Sequence, residues 1–140
     1  MQIVDLIFQV STPTQWAELL KGPLEYAAGQ GNRDLAQKLV EAGADIGDAL
    51  HTAIFGGHKE MVTDLLENGA SANAKDATNG YTPLHVAAEE FKPDMVQVLM
   101  LNGADKDPLD DDGWTPLYAA ACLGHVVTVL TLLALSLIHI

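Results

Sequence analysis

A short run of residues in the second half of the chain recurs about 33 residues later. Residues 82–84 read Thr-Pro-Leu and so do residues 115–117, and an aromatic residue, Tyr81 or Trp114, precedes each run. Similarity at a fixed interval of this size is typical of proteins built from stacked repeat units. The sequence therefore predicts a solenoid, in which each unit covers the apolar side of the next.

The residues within this interval resemble a known repeat. Residues 82–88 read Thr-Pro-Leu-His-Val-Ala-Ala and residues 102–105 read Asn-Gly-Ala-Asp, and both runs resemble the ankyrin repeat, a family whose members bind other proteins. The resemblance implies an all-α solenoid of stacked helix-turn-helix units with short β-hairpin-like fingers between them. It also implies that a partner lies on the concave face, which the fingertips and the exposed side of each first helix form.

The repeat pattern divides most of the chain into units. Residues 1–21 do not follow it, and we expect either a helical cap over the end of the stack or a degenerate repeat. The following units are predicted at residues 22–47, 48–80, 81–113 and 114–134, and the last of these is truncated.

The first unit lacks the residues of a finger. Only residues 44–49 separate its closing Gly43 from the next leucine of the pattern, whereas residues 70–83 fill the same interval one unit later. We therefore predict a short direct connection between helices and a gap in the row of fingers. The finger of the second unit has one residue more than the next finger, so its tip at residues 77–79 is expected to bulge.

The end of the chain departs from the repeat. No charged residue follows Val126, although a terminal repeat ordinarily has a polar outer face. We therefore interpret the sequence as cut short from a longer reading frame, with residues 135–140 as a non-native tail. A membrane tail anchor is the alternative interpretation, although about fifteen residues would be short for a bilayer, which needs about 20.

The charge of the chain limits its partners. There are 19 acidic and 7 basic residues, and the formal net charge is −12. Such a surface repels phosphate backbones and attracts basic protein surfaces. We therefore expect another protein as the partner, with a basic or amphipathic segment, and we expect neither nucleic acid nor a membrane. With no basic flank before the apolar run at residues 6–8, a secretory signal is not expected either, and we predict an intracellular protein, cytoplasmic or also nuclear.

Cys122 is the single cysteine of the chain. It excludes an internal disulfide and fits a reducing compartment. Because it follows Pro116 in a segment interpreted as a helix, we expect a small apolar filler and not a reactive thiol.

No set of side chains in the sequence indicates catalysis, a cofactor or a metal site, because neither a nucleophile with its base nor a phosphate-binding loop is present. His51 and His85 occupy equivalent repeat positions, and Tyr118 replaces them in the fourth unit, so they do not form a ligand cluster. The resemblance implies that the His85 ring is hydrogen-bonded to Thr82 or to a neighbouring turn. Residues 110–112 are all aspartate but lack the spacing of a calcium loop, and we expect a solvated turn.

The partner-binding residues are taken from the resemblance, position by position. Tyr81 and Trp114 precede their Thr-Pro pairs, and each ring either anchors a partner or packs on the adjacent finger. The predicted contacts are Lys75, Ala77, Thr78 and Tyr81 in one finger, Leu109, Asp111, Asp112 and Trp114 in the next, and Phe55, Glu89, Glu90 and Leu123 on the first helices.

The sequence thus predicts a non-catalytic protein-protein interaction module, which acts as a scaffold or adaptor through its acidic concave face. The alternative is a targeting fragment of a larger multidomain enzyme whose catalytic part is absent from this sequence. Fold alone does not decide between them.

Overall fold

The computed structural model describes residues 13–138 of the chain, and the predicted cap segment lies partly outside them. These described residues form eight α-helices and no β-strand. The helices are α1 Pro13–Gln30, α2 Arg33–Glu41, α3 Ala49–Phe55, α4 Lys59–Glu67, α5 Pro83–Glu89, α6 Pro93–Leu101, α7 Pro116–Cys122 and α8 Val126–Ile138.

The helices stack in two rows. Helices α1, α3, α5 and α7 pack against one another in that order and form the inner row, while α4, α6 and α8 pack in the same way in the outer row. Each inner helix also packs against the helix that follows it in the chain. The predicted all-α repeat solenoid is therefore confirmed.

Equivalent positions of successive units supply the core. Leu24, Leu50 and Leu84 are fully or almost fully buried, and burying one such side chain contributes about 2 kcal/mol. Leu117 occupies the same position in the fourth unit but is only partly buried, because only its N-terminal side has a neighbouring unit among the described residues. The inner helices approach closely where each presents a small methyl side chain, at Ala27, Ala53, Ala87 and Ala120.

The inner helices α5 and α7 each begin with a threonine cap and a proline. The Thr82 hydroxyl accepts a hydrogen bond from the His85 amide at 3.4 Å, and the Thr115 hydroxyl accepts one from the Tyr118 amide at 3.1 Å. A cap of this kind contributes about 1 kcal/mol. Pro83 lies in the first turn, where the missing amide hydrogen breaks no helical hydrogen bond.

Helix α1 is continuous through the boundary that the sequence suggested at residue 21, with Pro23 inside it. Its first half packs against the short connection of residues 42–48, where the Asp45 amide donates to the Ala17 carbonyl at 3.3 Å. At the other end, the segment predicted as a tail begins within α8, whereas residues 139–140 lie outside the described part of the chain.

Candidate protein-binding surface

Two fingers connect the later units: residues 70–81, the first finger, and residues 104–114, the second finger. The Asp76 carboxylate closes the first finger, because its Oδ1 accepts hydrogen bonds from the amides of Asn79 at 3.0 Å and Tyr81 at 3.2 Å. The fingers have no β-strand within the described residues. Each is instead a loop folded around an aspartate.

Asp110 closes the second finger in the same way. Its Oδ1 accepts hydrogen bonds from the amides of Asp112 at 2.9 Å and Trp114 at 2.8 Å, and the side chain is buried. The loop that Asp110 closes is one residue shorter than the loop that Asp76 closes. The extra residue predicted from the spacing therefore lies within the tip of the first finger.

Hydrogen bonds join the two fingers. The Asp111 amide donates to the Asn79 carbonyl at 3.0 Å, and the Lys75 amine donates to the Leu109 carbonyl at 2.9 Å. Gly80 allows this approach, because a side chain there would collide with Asp111. The fingers therefore present one continuous edge to solvent, and the hydrogen bond from Lys75 helps to hold this edge together.

Histidines attach the inner helices α3 and α5 to the base of the finger that follows each of them. His51 Nε2 donates to the Tyr81 carbonyl at 2.9 Å, and His85 Nε2 donates to the Trp114 carbonyl at 2.7 Å. His85 Nδ1 accepts from the Thr82 amide at 3.2 Å, and the whole residue is buried. The structural role predicted for His85 is confirmed.

The two aromatic residues at the finger bases both contact rings of their own chain. Tyr81 stacks on His85, with ring centroids 5.3 Å apart. Burial raises the pKa of Tyr81 above its ordinary value, and the Glu89 carboxylate raises it further. Trp114 meets the edge of Tyr118 at 4.9 Å but leaves 43% of its surface exposed. Tyr81 is thus mainly packed, whereas Trp114 also offers a free surface.

An apolar depression lies between α3 and α5. Phe55, which is 63% exposed, lines it together with Thr52 and Val86. Glu89 and Glu90 follow Val86 at the end of α5, and both are half-buried. An apolar contact site with carboxylates on the same helix can take an apolar side chain that has a basic neighbour.

Sequence reasoning missed part of this depression. Thr52 and Val86 each lie two residues after the core leucine of their unit, and Tyr26 lies at the same position on α1 with 69% of its surface exposed. Aligning the repeats by that leucine would have found Thr52 and Val86, and it places the exposed Tyr26 at the same position of the first unit outside the depression.

The predicted contact residues share one feature, which is that none is fully buried. Leu123 lies apart from the second finger, because it follows the C-terminal end of α7 whereas the finger precedes the N-terminal end. Lys75, Ala77, Thr78, Leu109, Asp111, Asp112, Trp114, Phe55 and Leu123 are exposed, and Tyr81, Glu89 and Glu90 are half-buried. We call these twelve residues the finger face.

The interpretation of Cys122 as a buried filler is wrong. The residue is exposed at the last position of α7, because that helix has an inner-row neighbour on only one side within the described residues. The neighbouring Cys122 thiol raises the pKa of the Tyr118 hydroxyl above its ordinary value.

The described residues were also searched for metal sites and membrane-spanning helices. Among residues 13–138, no three His, Cys, Asp or Glu side chains converge in a way that could hold a metal ion. None of the helices in that range has the length and apolar character needed to cross a bilayer.

The stacked helix pairs and the fingers define a helical repeat protein. The family model for ankyrin repeats (3 copies) matches residues 24–110 and again residues 50–139. The chain belongs to the ankyrin-repeat family.

Curated relatives are similar over parts of the chain. Glycerophosphocholine phosphodiesterase gde1 of Schizosaccharomyces pombe is 34% identical over 112 residues, which are 74% of this chain and 10% of that protein. Protein phosphatase 1 regulatory subunit 27 of Mus musculus is 43% identical over 68 residues, 49% of this chain and 44% of that protein. The BTB/POZ domain and ankyrin repeat-containing protein NH5.2 of Oryza sativa is 44% identical over 78 residues, 54% of this chain and 16% of that protein. The matches therefore span less than half of each of these relatives.

Proposed function

We propose that this chain is a non-catalytic protein-interaction module that binds its partner on the finger face. Ankyrin repeats are protein-binding elements, and one relative is named a regulatory subunit of a phosphatase, a role that fits binding and not catalysis. The observation that carries the proposal is the combination of an exposed aromatic ring, Trp114, with the exposed carboxylates of Asp111 and Asp112 beside it.

The partner segment is basic or amphipathic. The exposed carboxylates of the second finger attract positive charge, and the chain as a whole carries a formal charge of −12. Such attraction raises the association rate and is screened by salt within about 10 Å at 0.1 M. Binding to this face should therefore weaken as salt is added.

Two apolar anchors accompany the charge. Phe55 lines the depression between α3 and α5, and Trp114 lies at the base of the second finger. Exposed aromatic residues are enriched among those whose truncation costs most binding energy. An amphipathic segment can place apolar side chains on both anchors and basic side chains beside Glu90, Asp111 and Asp112.

The proposal can be tested with a synthetic amphipathic helix of lysine and leucine, called the basic peptide. Titration into the 15N-labelled chain should shift the Trp114 indole and the amides of both fingers. Trp114→Ala should weaken binding about tenfold, a change of about 1.4 kcal/mol. Leu101→Ala is the matched control, because Leu101 is also apolar and exposed but lies on the outer row.

Two results would contradict the proposal. If Leu101→Ala weakens binding as much as Trp114→Ala, or if the affinity is the same at about 50 mM and 500 mM salt, the finger face does not bind in the way proposed. Helicity measured by circular dichroism should stay the same in both variants.

One relative supports a second candidate function, in which the repeats are the targeting part of a larger enzyme. The match to the phosphodiesterase covers only 10% of that protein, and its catalytic activity belongs to the whole protein. An immunoblot with an antibody against residues 48–113 measures the size of the native product. A band far above 14.9 kDa supports this candidate, and a band at 14.9 kDa contradicts it.

An intracellular location is part of the proposal. It is supported by the single exposed Cys122, which remains a free thiol in a reducing compartment. Imaging of the tagged native protein tests it, and secretion into the medium would contradict it.

A further inference from the structure

The turn between the two helices of the third unit differs from the others. Gly31, Gly57 and Gly124 occupy this turn in the other units, with φ of 71°, 76° and 73°. Phe91 occupies it in the third unit, with φ of 55°, and is the only residue other than glycine with positive φ within residues 13–138. The left-handed region disfavours every residue that has a Cβ atom, and phenylalanine more than asparagine or aspartate.

The Phe91 side chain gains little packing in return for this conformation. Its ring meets the His125 ring edge-on, with centroids 5.1 Å apart, and 49% of the residue remains exposed. Strained residues of this kind persist only where the surrounding structure holds them in place, and they cluster at ligand-binding and active sites. The strain here places an aromatic ring at the surface.

The next residue of the turn is also replaced. His58 and His125 hold this position in the second and fourth units, and their rings form hydrogen bonds with the carbonyls of Gly29 at 2.9 Å and Ala88 at 3.0 Å. Lys92 takes the position in the third unit, and its amine lies over Gly57. The third unit thus has an aromatic and a cationic side chain where the second and fourth units have a glycine and a ring that bonds to a carbonyl.

Phe91 and Lys92 line a cavity between the turns of the second and third units. Lys59 and Pro93 line it as well, and the buried Met95 forms part of its wall. Within residues 13–138, neither Lys59 nor Lys92 forms a salt bridge. Two of the chain's seven basic residues therefore meet at one cavity with their charges uncompensated by an ion pair.

The charge at this cavity is opposite to that of the chain. Asp94 is the one acidic residue among those that line it, against the two lysines, whereas the whole chain carries −12. An acidic segment would be repelled by most of the surface and attracted here. An acidic segment with one apolar side chain complements both the lysines and the Phe91 ring.

We propose that Lys59, Phe91, Lys92 and Pro93 form a second docking surface, the turn patch, which binds an acidic, extended segment of another protein. Acidic side chains of that segment pair with Lys59 and Lys92, and one apolar side chain packs on Phe91 and Pro93. The turn patch prefers the opposite charge from the finger face. The chain would therefore connect two partners of different charge.

The test uses a synthetic peptide of glutamate with one leucine, called the acidic peptide. Titration into the 15N-labelled full chain should shift the amides of residues 57–59 and 91–95. The double variant with Lys59→Glu and Lys92→Glu should weaken binding more than tenfold, and Phe91→Gly should weaken it by about the same factor, which corresponds to 1.4 kcal/mol per tenfold. Lys38→Glu is the matched control, because Lys38 is an exposed lysine on α2, and it should change the affinity less than about twofold.

Thermal melting separates binding from packing. Phe91→Gly removes the ring contact with His125 but also relieves the left-handed strain, so the melting temperature should stay within about 3 °C of the parent. If Phe91→Gly lowers the melting temperature strongly and binds the acidic peptide like the parent, the ring serves packing alone and the proposal is wrong.

Three further outcomes would also overturn the proposal: no binding of the acidic peptide at millimolar concentration, shifts confined to the fingers, or equal weakening by Lys38→Glu. Binding of the basic peptide to the finger face is measured separately with the same variants. If binding fails at one surface, binding at the other surface can still be measured and interpreted.

Discussion

The junction between the first two units and the junction between the last two are built differently. Residues 42–48 form the first junction and carry no finger, whereas residues 102–115 form the last junction and carry the second finger. Helix α1 supplies contacts at the first junction, through the Ala17 carbonyl and the ion pair between Lys21 and Asp48 at 3.8 Å. The long first helix thus occupies the side of the stack where a finger is missing.

At the last junction the contacts come from within the repeats. His85 bonds to the carbonyl at the base of the second finger, and the same arrangement holds His51 against the first finger. Glu25 and Tyr118 occupy the equivalent positions in the units that have no finger after them within the described residues. A histidine at this position therefore marks the presence of a neighbouring finger, and the finger face exists only along the second to fourth units.

The largest effect is expected from the core leucines. Leu84→Ala should destabilise the chain by about 2–5 kcal/mol, because it leaves a cavity between two neighbouring units. Leu117→Ala should cost less than half as much, since Leu117 is only partly buried. Urea unfolding followed by circular dichroism measures both, and equal losses would contradict the stacked arrangement.

Removing the histidine link should be the next largest effect. His85→Ala leaves the Trp114 carbonyl and the Thr82 amide without their partner, and we expect a loss of about 2–3 kcal/mol. Glu25→Ala at the junction without a finger should change stability by no more than about 0.5 kcal/mol. A similar cost for both variants in urea unfolding would show that the histidine does not act through the finger.

A smaller difference is expected between the charged groups at the two junctions. Asp110→Ala removes the buried carboxylate that closes the second finger and should cost about 1–2 kcal/mol. Lys21→Ala removes a partly exposed ion pair and should cost about 0.2–1 kcal/mol. Guanidinium unfolding measures the loss of unfolding free energy in each variant. A larger loss for Lys21→Ala than for Asp110→Ala would show that the junctions are not held in this way.

The smallest effect concerns pH. The folded chain holds the Tyr81 proton more tightly than the unfolded chain, because its pKa is raised from an ordinary value of 10.0. The stability from this proton is present below pH 10 and is lost as the pH rises through the folded pKa. Tyr81→Phe should therefore lose less stability than the parent above pH 10, as urea unfolding at several pH values measures. Identical profiles would contradict a raised pKa of Tyr81 in the folded chain.

The period of the sequence was enough to predict how the units stack. Thr82 and Thr115 mark the helix starts, the short interval before Leu50 corresponds to the connection without a finger, and the spacing repeated between units places Leu84 in the core. These features depend on contacts between like units. A repeated pattern encodes such contacts directly.

The remaining features depend on contacts that do not recur from one repeat unit to the next, so the repeat pattern does not predict them. Cys122 is exposed because α7 has a neighbour on one side only among the described residues, and a pattern of equivalent positions cannot show that. The contact of Trp114 with Tyr118 replaces the stacking of Tyr81 on His85, since Tyr118 occupies the position of His85 in the fourth unit. The side chains of the fourth unit are therefore the ones whose surroundings the sequence predicted least well.

The central claim is that the chain binds its partner on the finger face. Hydrogen exchange measured by mass spectrometry, with and without the basic peptide, tests it most directly. Binding of the basic peptide to the finger face should slow amide exchange in residues 70–81 and 104–114, because it holds both fingers closed. Exchange in residues 42–48 should stay unchanged. Slowing confined to residues 42–48 or to the outer-row helices, or no slowing at a saturating peptide concentration, would contradict it.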